Sequence, residues 1–372
     1  MRVPDLRILM WGWYGFENLG DDLLLETMLE HVDGKITVPM KKRYEMEGVN
    51  EIDRSYGKLI SGAFRNDVLI IGPGGLFPFD NKVKVLVYYA VTKLWRFLNR
   101  KVIFFGIGIS ECMSSSSKLL WRKMAKSSDL FITRSGSVLK KIQLPENDMI
   151  HSMADAVFGC NLVTPSAHTQ VNGNSFEEKN SSVVVSVANL CPNKEDLRRE
   201  TVEKWIGLVE WLLNQGYCVD LVAFSKGNDD WMIDAIMADE RLHNRTVQKI
   251  NYSEAMRSVR QWGQYRFAIC MRFHSLVLSI LSGIPAVPIA YGHKTLDLAH
   301  RSGLANYTLL WNEFQGEYFG KEVDLSLTEI MNKVEELCKN LDEVKKDMEE
   351  YRKQLIDSAE GAFKQLEFTL HQ

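Results

Sequence analysis

The residues best suited to chemistry lie in the last third of the chain. Met271, Arg272, Phe273, His274 and Ser275 interrupt an otherwise apolar run between Cys270 and Lys294. Arginine and histidine are costly to bury without partners, so two of them side by side between a predicted strand and a predicted helix point to an anion-binding site. Residues 267–269 read as the end of a buried strand. Leu276, Val277, Leu278, Ile280 and Leu281 then form the apolar side of a short helix that Gly283 and Pro285 terminate. A second buried strand over 286–289 delivers Tyr291, Gly292, His293 and Lys294 to the same sheet edge, the one at which open α/β sheets bind ligands. The first N–H groups of the helix after Phe273 add partial positive charge there. Such a constellation suits a phosphate, a carboxylate, or both on one small molecule.

Three glycine-rich turns end predicted strands in the first half. Residues 12–22 read GWYGFENLGDD, with Asn18 or Asp21 placed to cap the following helix. The lysine and hydroxyl residue of a phosphate-binding P-loop are missing, and the glycine spacing is not that of a dinucleotide fold, so a plain strand-to-helix turn competes with a binding role. Gly72, Pro73, Gly74, Gly75, Leu76 and Phe77, followed by Asp80, make the second turn, and 106–109 (GIGI) the third. Three open turns on one edge describe a groove. Arg134 follows Leu130, Phe131 and Ile132 at another strand end. A structural salt bridge is its default reading, with Asp155 as the partner or as a general base. Of the eight histidines only His274 combines a strand-end position with a cationic neighbour, and no metal-ligand spacing recurs.

The elements that must carry these residues follow from the alternation of apolar runs and helical periodicity. Strands are predicted at 7–13, 68–71, 102–107 and 130–133, with helices at 21–31, 83–98 and 116–126 between them. After Asp155 the pattern breaks, and 164–182 is rich in Ser, Asn, Thr and Gly. A second alternation has strands at 182–187, 218–223, 246–249, 267–271 and 286–289, with helices at 194–214, 231–238 and 253–260. The fold class is therefore α/β with two Rossmann-like domains. Residues 1–165 and 182–325 form the domains, 166–181 the linker and 326–372 a helical tail. In that tail Ile330, Val334, Leu337, Leu341, Val344, Met348 and Tyr351 recur at helical spacing, which predicts an amphipathic helix packed across the domains. The segment 82–101 mixes apolar residues with Lys82, Lys84, Lys93, Arg96, Arg100 and Lys101. It reads as a crossover helix with a basic end, and alternatively as a helix that faces a membrane.

Composition bounds the function. At 372 residues, with 45% hydrophobic and 25% charged, the chain is an ordinary globular protein long enough for two domains. A net charge of −3 provides no basic excess to neutralise a nucleic-acid backbone. Six dispersed cysteines, with no CxxC pair, fit reduced thiols rather than a disulfide framework. No signal peptide and no run long enough to span a bilayer is visible, so a cytoplasmic location is expected.

Taken together, the turns resemble the polysaccharide pyruvyl transferase family. The resemblance rests on 12–22, close to a family pattern G-Y-x-G-x-x-N-x-G-D-E, on 72–77 and 106–109, on Arg134 and Asp155, and above all on Met271 to Leu276 with Gly283, Pro285, Tyr291 and Lys294. The chain departs from the family at Glu17, where many members have glycine, at Ser135, at Ala156, and at Gly292 with His293. The resemblance implies a fold like that of GT-B glycosyltransferases. It also implies a reaction in which phosphoenolpyruvate gives a pyruvyl group to two hydroxyls of a sugar, as a cyclic ketal, with release of phosphate. Arg134, Arg272, His274 and Lys294 become the expected donor site, with Arg272 and His274 catalytic. Tyr14, Asn18, Asp21, Asp22, Gly74, Gly75 and Asp155 become the expected acceptor side. No cofactor or metal is called for beyond phosphoenolpyruvate as co-substrate. The sugar acceptor, free or carried on a polyprenyl diphosphate at the inner face of the membrane, is the expected partner. A nucleotide-sugar glycosyltransferase of the same architecture and a non-catalytic glycan binder are the competing readings.

Overall fold

Short apolar runs form the inner strands of both sheets, such as Val68–Ile71 and Leu130–Thr133, as happens where helices cover both faces and leave no strand side for water. The computed structural model describes residues 6–77, 81–109, 113–161, 181–189, 195–311 and 325–372. The chain divides into two units, the first made of Met1–Glu17, Asp21–Asn161 and Leu355–Gln372, the second of Asn18–Gly20 and Leu162–Gln354. The expected linker at 166–181 lies outside the described residues, as do Asp80, Cys112 and Cys191.

In the first unit the elements run β1 (Arg7–Trp11), α1 (Leu19–His31), β2 (Lys35–Met40), β3 (Val49–Asp53), α2 (Tyr56–Gly62), β4 (Val68–Ile71) and β5 (Gly74–Phe77). They continue as α3 (Lys82–Phe97), β6 (Lys101–Ile109), α4 (Ser115–Ser127), β7 (Leu130–Thr133), α5 (Gly136–Lys141) and β8 (Ile150–Ser152). The eight strands form one parallel sheet in the order β3-β2-β1-β4-β6-β7-β8, with β5 paired to β6. Strand order reverses between β1 and β4, so the two turns that follow them flank the switch point where such sheets open a crevice. One core cluster joins Leu59 of α2, Val85, Tyr88, Val91 and Trp95 of α3, and Trp121 and Met124 of α4 to strand residues such as Leu69 and Phe104. Those α3 positions recur every three or four residues, and the Asn81 side chain caps the helix by accepting from the Lys84 N–H.

The second unit contains β9 (Ser182–Ser186), α6 (Glu195–Asn214), β10 (Cys218–Val222), α7 (Asn228–Met237), β11 (Val247–Ile250), α8 (Tyr252–Ser258) and β12 (Ala268–Cys270). It continues with α9 (Phe273–Leu281), β13 (Ala286–Ala290), α10 (His293–Arg301), β14 (Leu309–Leu310), α11 (Leu327–Lys339) and α12 (Leu341–His371). Its six strands are parallel in the order β11-β10-β9-β12-β13-β14, and here order reverses between β9 and β12. The tail forms two helices, α11 and α12. Residues of α12 up to Gln354 belong to the second unit and those from Leu355 to the first. Ile330, Val334, Leu337, Leu341, Val344 and Met348 are buried as the spacing requires, whereas Tyr351 is exposed.

Candidate functional site

In the second unit the site is built at the switch point. Strand β12 ends at Cys270, and Arg272 is the N-cap of α9, with its backbone N–H directed to the Ser186 hydroxyl at the end of β9. The Arg272 side chain makes no cap bond to α9, whose first turn lies at the sheet edge, where the positive end of the helix dipole falls. The guanidinium of Arg272 is held by Asp229, a wholly buried carboxylate in the first turn of α7. Nε donates to one carboxylate oxygen at 3.0 Å and Nη2 to the other. Asp229 is held in turn by the backbone N–H groups of Phe224 and Ser225, at 3.1 and 2.9 Å. Burial is the largest single influence and acts against the charge of Arg272, but Asp229 and Tyr291 together outweigh it, and the guanidinium is held above its ordinary pKa. Arg272, expected at the donor site, is thus already paired with a carboxylate in the structure. Its Nε and Nη2 edge is already taken by a carboxylate, and Nη1 lies on the other edge.

His274 follows two residues later, and its imidazole rests on Gly20. A Cβ on Gly20 would lie 1.8 Å from Nδ1, so only glycine leaves room for the ring. Gly20 belongs to the segment Asn18–Gly20, which is part of this unit. Asn18 forms an antiparallel bridge with Ser225, the Leu19 N–H donates to the Phe224 carbonyl at 2.8 Å, and Asn18 Oδ1 accepts from the Gly20 N–H at 3.1 Å. The contacts close a ring: Gly20 against His274, Arg272 against Asp229, Asp229 against Phe224 and Ser225, and Phe224 back to Leu19. Phe273 adds a wall, meeting His274 edge-on at 5.1 Å while Lys294 Nζ lies 5.3 Å over its ring. Lys294 itself is exposed in the first turn of α10. Arg272, His274 and Lys294 are thus gathered at the edge formed by β12 and β13.

In the first unit the turns after β1 and β4 are tied together. Tyr14 is fully buried and its hydroxyl donates to the Gly72 carbonyl at 2.8 Å. Burial, and then the neighbouring Asp21 carboxylate, hold its phenol above the ordinary pKa. Tyr14 therefore joins two turns and does not present a hydroxyl to a sugar, which corrects the acceptor-side expectation. Asp22 is also buried and accepts from the Tyr44 hydroxyl at 3.3 Å. Asp21 is half-buried beside Gly74, and Gly75 is exposed, with open space where its Cβ would point. Glu17, the departure from glycine, adopts φ 54°, a left-handed conformation that glycine enters freely, and its carboxylate accepts from Lys42 at 2.7 Å.

Arg134 pairs with Asp155 at 3.2 Å, and the second oxygen of Asp155 accepts the Val157 N–H at 3.1 Å. The default salt bridge is the arrangement found. Asp155 is buried and engaged, so it orients Arg134 instead of facing an acceptor. A Cβ on Gly108 would come within 2.8 Å of Arg134 Nη2, so the third glycine turn makes space for the guanidinium.

Two residues of consequence escape sequence reasoning. Asp229 stands in a Gly-Asn-Asp-Asp run after an apolar strand, the same arrangement that drew attention to 12–22, and that was the available signal. Arg54 stacks 4.0 Å over Trp11 and donates to the Gly12 carbonyl, supporting the first turn from below. Burial lowers its pKa, and nothing in the surrounding sequence marks it.

A family model described as polysaccharide pyruvyl transferase matches residues 18–293. None of the curated proteins compared with the chain matches it. Among solved structures, the UDP-GlcNAc 2-epimerase of Neisseria meningitidis bound to UDP-GlcNAc is similar with a TM-score of 0.59 at 12% identity, covering 97% of this chain and 99% of its own. A glycosyltransferase from Rickettsia africae gives 0.55 at 12%, with coverages of 99% and 98%. The UDP-N-acetylglucosamine 2-epimerase of Rickettsia bellii gives 0.54 at 9%, with 99% and 97%. At such identities the likeness is one of fold, two Rossmann-like units of the GT-B kind.

Proposed function

The chain belongs to the polysaccharide pyruvyl transferase family, and from that premise we propose that it moves the pyruvyl group of phosphoenolpyruvate onto two hydroxyls of a sugar in a surface polysaccharide or its lipid-linked precursor. The observation that carries the reading is the ring of contacts that fixes Arg272 and His274 at the start of α9, with Lys294 one strand away. Phosphoenolpyruvate bears a phosphate and a carboxylate on a small frame. Helix N-termini and arginine forks suit those groups, and Lys294 adds a mobile point charge.

In the proposed course, His274 delivers a proton to the methylene carbon and the central carbon becomes electrophilic. One sugar hydroxyl adds there, the carbon–oxygen bond to phosphate breaks, and the second hydroxyl closes the ring. Of the two hydroxyl protons, one is balanced by the new methyl C–H and the other by the phosphate released. Arg272 and Lys294 would stabilise charge on the departing phosphate. In the first unit, Arg134 beside Gly108 is proposed as a further donor cation. Asn18, in the second unit, and Asp21, with the open turn at Gly74 and Gly75 in the first, are proposed for the acceptor.

The test is incubation with phosphoenolpyruvate and a panel of soluble and lipid-linked saccharides, following phosphate release and the mass of a pyruvate ketal. Release of nucleoside diphosphate from a sugar nucleotide, with none of phosphate from phosphoenolpyruvate, would instead establish a glycosyltransferase.

A further inference from the structure

The first unit carries one face whose chemistry the donor and acceptor sites do not use. Helices α2, α3, α4 and α5 contain no aspartate or glutamate, yet each carries lysine or arginine, in a chain whose net charge is −3. Helices α2, α3 and α4 share one core cluster with the strands beneath, so their outer sides lie on the same side of the sheet.

Those outer sides are apolar as well as basic. Along α3, Val83, Leu86, Ala90, Lys93 and Phe97 are exposed at spacings of three and four, a stripe opposite the buried one. Val83 is 72% exposed and Phe97 84%, and Phe64, just past α2, is 64% exposed. Tyr56 and Ile60 of α2 and Leu119 of α4 are exposed too, so most of the exposed large apolar side chains among the described residues fall on these three helices or at their ends. Lys82, Lys93, Lys123 and Lys126 stand exposed among them.

We propose that this face docks on an anionic lipid bilayer, with the apolar stripe at headgroup level and the lysines on lipid phosphates. Arg96 of α3 is paired with Asp129, but apolar side chains interleaved with lysines on helices that contain no acid match the interface of such a bilayer, where each lysine near the surface adds to the attraction. A second copy of the chain would bring the same lysines against this face, which like-charge repulsion opposes. No helix among the described residues is long and apolar enough to cross a membrane, so attachment is by surface contact. The use of this contact, to bring the enzyme to a lipid-carried acceptor, rests on the function proposed above; the binding itself does not.

The experiment is co-sedimentation of the full chain with vesicles of phosphatidylglycerol and phosphatidylethanolamine, against vesicles of phosphatidylcholine alone. Binding to the anionic vesicles, weakened by salt, is expected. Replacing Lys82, Lys84 and Lys93 by Ala together should weaken it about a hundredfold, and Leu86→Ser with Phe97→Ser should weaken it as well. Lys333→Ala, on α11 of the second unit, should not. Unchanged circular dichroism and unchanged turnover of a water-soluble acceptor identify a docking defect. Equal binding to both vesicle types, no binding to either, or triple-variant binding equal to the parent's overturns the proposal. Vesicle binding without any turnover of phosphoenolpyruvate would leave the proposal standing and count against the enzymatic reading. A concentration-dependent dimer lost in the triple variant, with no lipid binding, would assign the face to a second copy instead.

Discussion

Gly20→Ala tests the seating of His274 with a single methyl group. The added Cβ would lie 1.8 Å from Nδ1, whereas ordinary contact begins at 3.4 Å, so the imidazole must retreat by about 1.6 Å. Displacement of a reacting group by about 1 Å costs on the order of a hundredfold in rate, so phosphate release from phosphoenolpyruvate should fall at least that far. Stability should change less. Overpacking costs about 1 to 3 kcal/mol, while alanine gains up to about 1 kcal/mol over glycine in a helix, leaving a net loss of about 0 to 3 kcal/mol in urea unfolding. Repeating the substitution in a His274→Ala background closes a double-mutant cycle. There the ring is gone, and Gly20→Ala should become neutral or stabilising. Turnover within twofold of the parent's, together with the same stability change in both backgrounds, would refute the contact and the role drawn from it.

Asp229→Ala leaves the Arg272 guanidinium without its buried counter-charge and should destabilise the protein by about 3 to 5 kcal/mol; a loss below about 1 kcal/mol on denaturant titration would contradict the pairing. Tyr14→Phe leaves the Gly72 carbonyl without its donor and should cost about 1 to 3 kcal/mol on the same titration, with no new requirement at the sugar. Burial pushes the Cys270 thiol up to about 12, against the opposing hydrogen bonds of Ser275 and Ser279. Because the thiolate is the reactive form, Cys270 should escape iodoacetamide at pH 8 until the chain is unfolded, as peptide mass spectrometry would reveal.

The strands that enter a sheet interior were legible because they are apolar on both faces. The stretches 68–71 and 130–133 match β4 and β7 residue for residue. Three of those missed depart from that rule. Strand β2 contains Pro39, and β3, outermost in its sheet, mixes three polar residues with two apolar ones and has none fully buried. Strand β5 is a glycine pair that reads as turn chemistry alone. At the candidate site, Arg272, His274 and Lys294 were visible as expensive residues in an apolar run. Their partners were not, since Asp229 lies 43 positions from Arg272 and Gly20 is more than 250 from His274, and spacing along a chain does not encode such contacts. The same blindness made Tyr14 look available to a sugar, because only the fold places the Gly72 carbonyl above its hydroxyl.

The grip of Asp229 on Arg272 also decides when order is imposed. A loose arginine carries about 2 kcal/mol of rotamer entropy that an arriving anion would have to remove. Here folding has already removed it, so a ligand would meet a side chain at rest, and its affinity need not be reduced by that freezing. The same carboxylate repels anions, which shortens their stay. An anion arriving there would meet a guanidinium already ordered and already shared with a carboxylate.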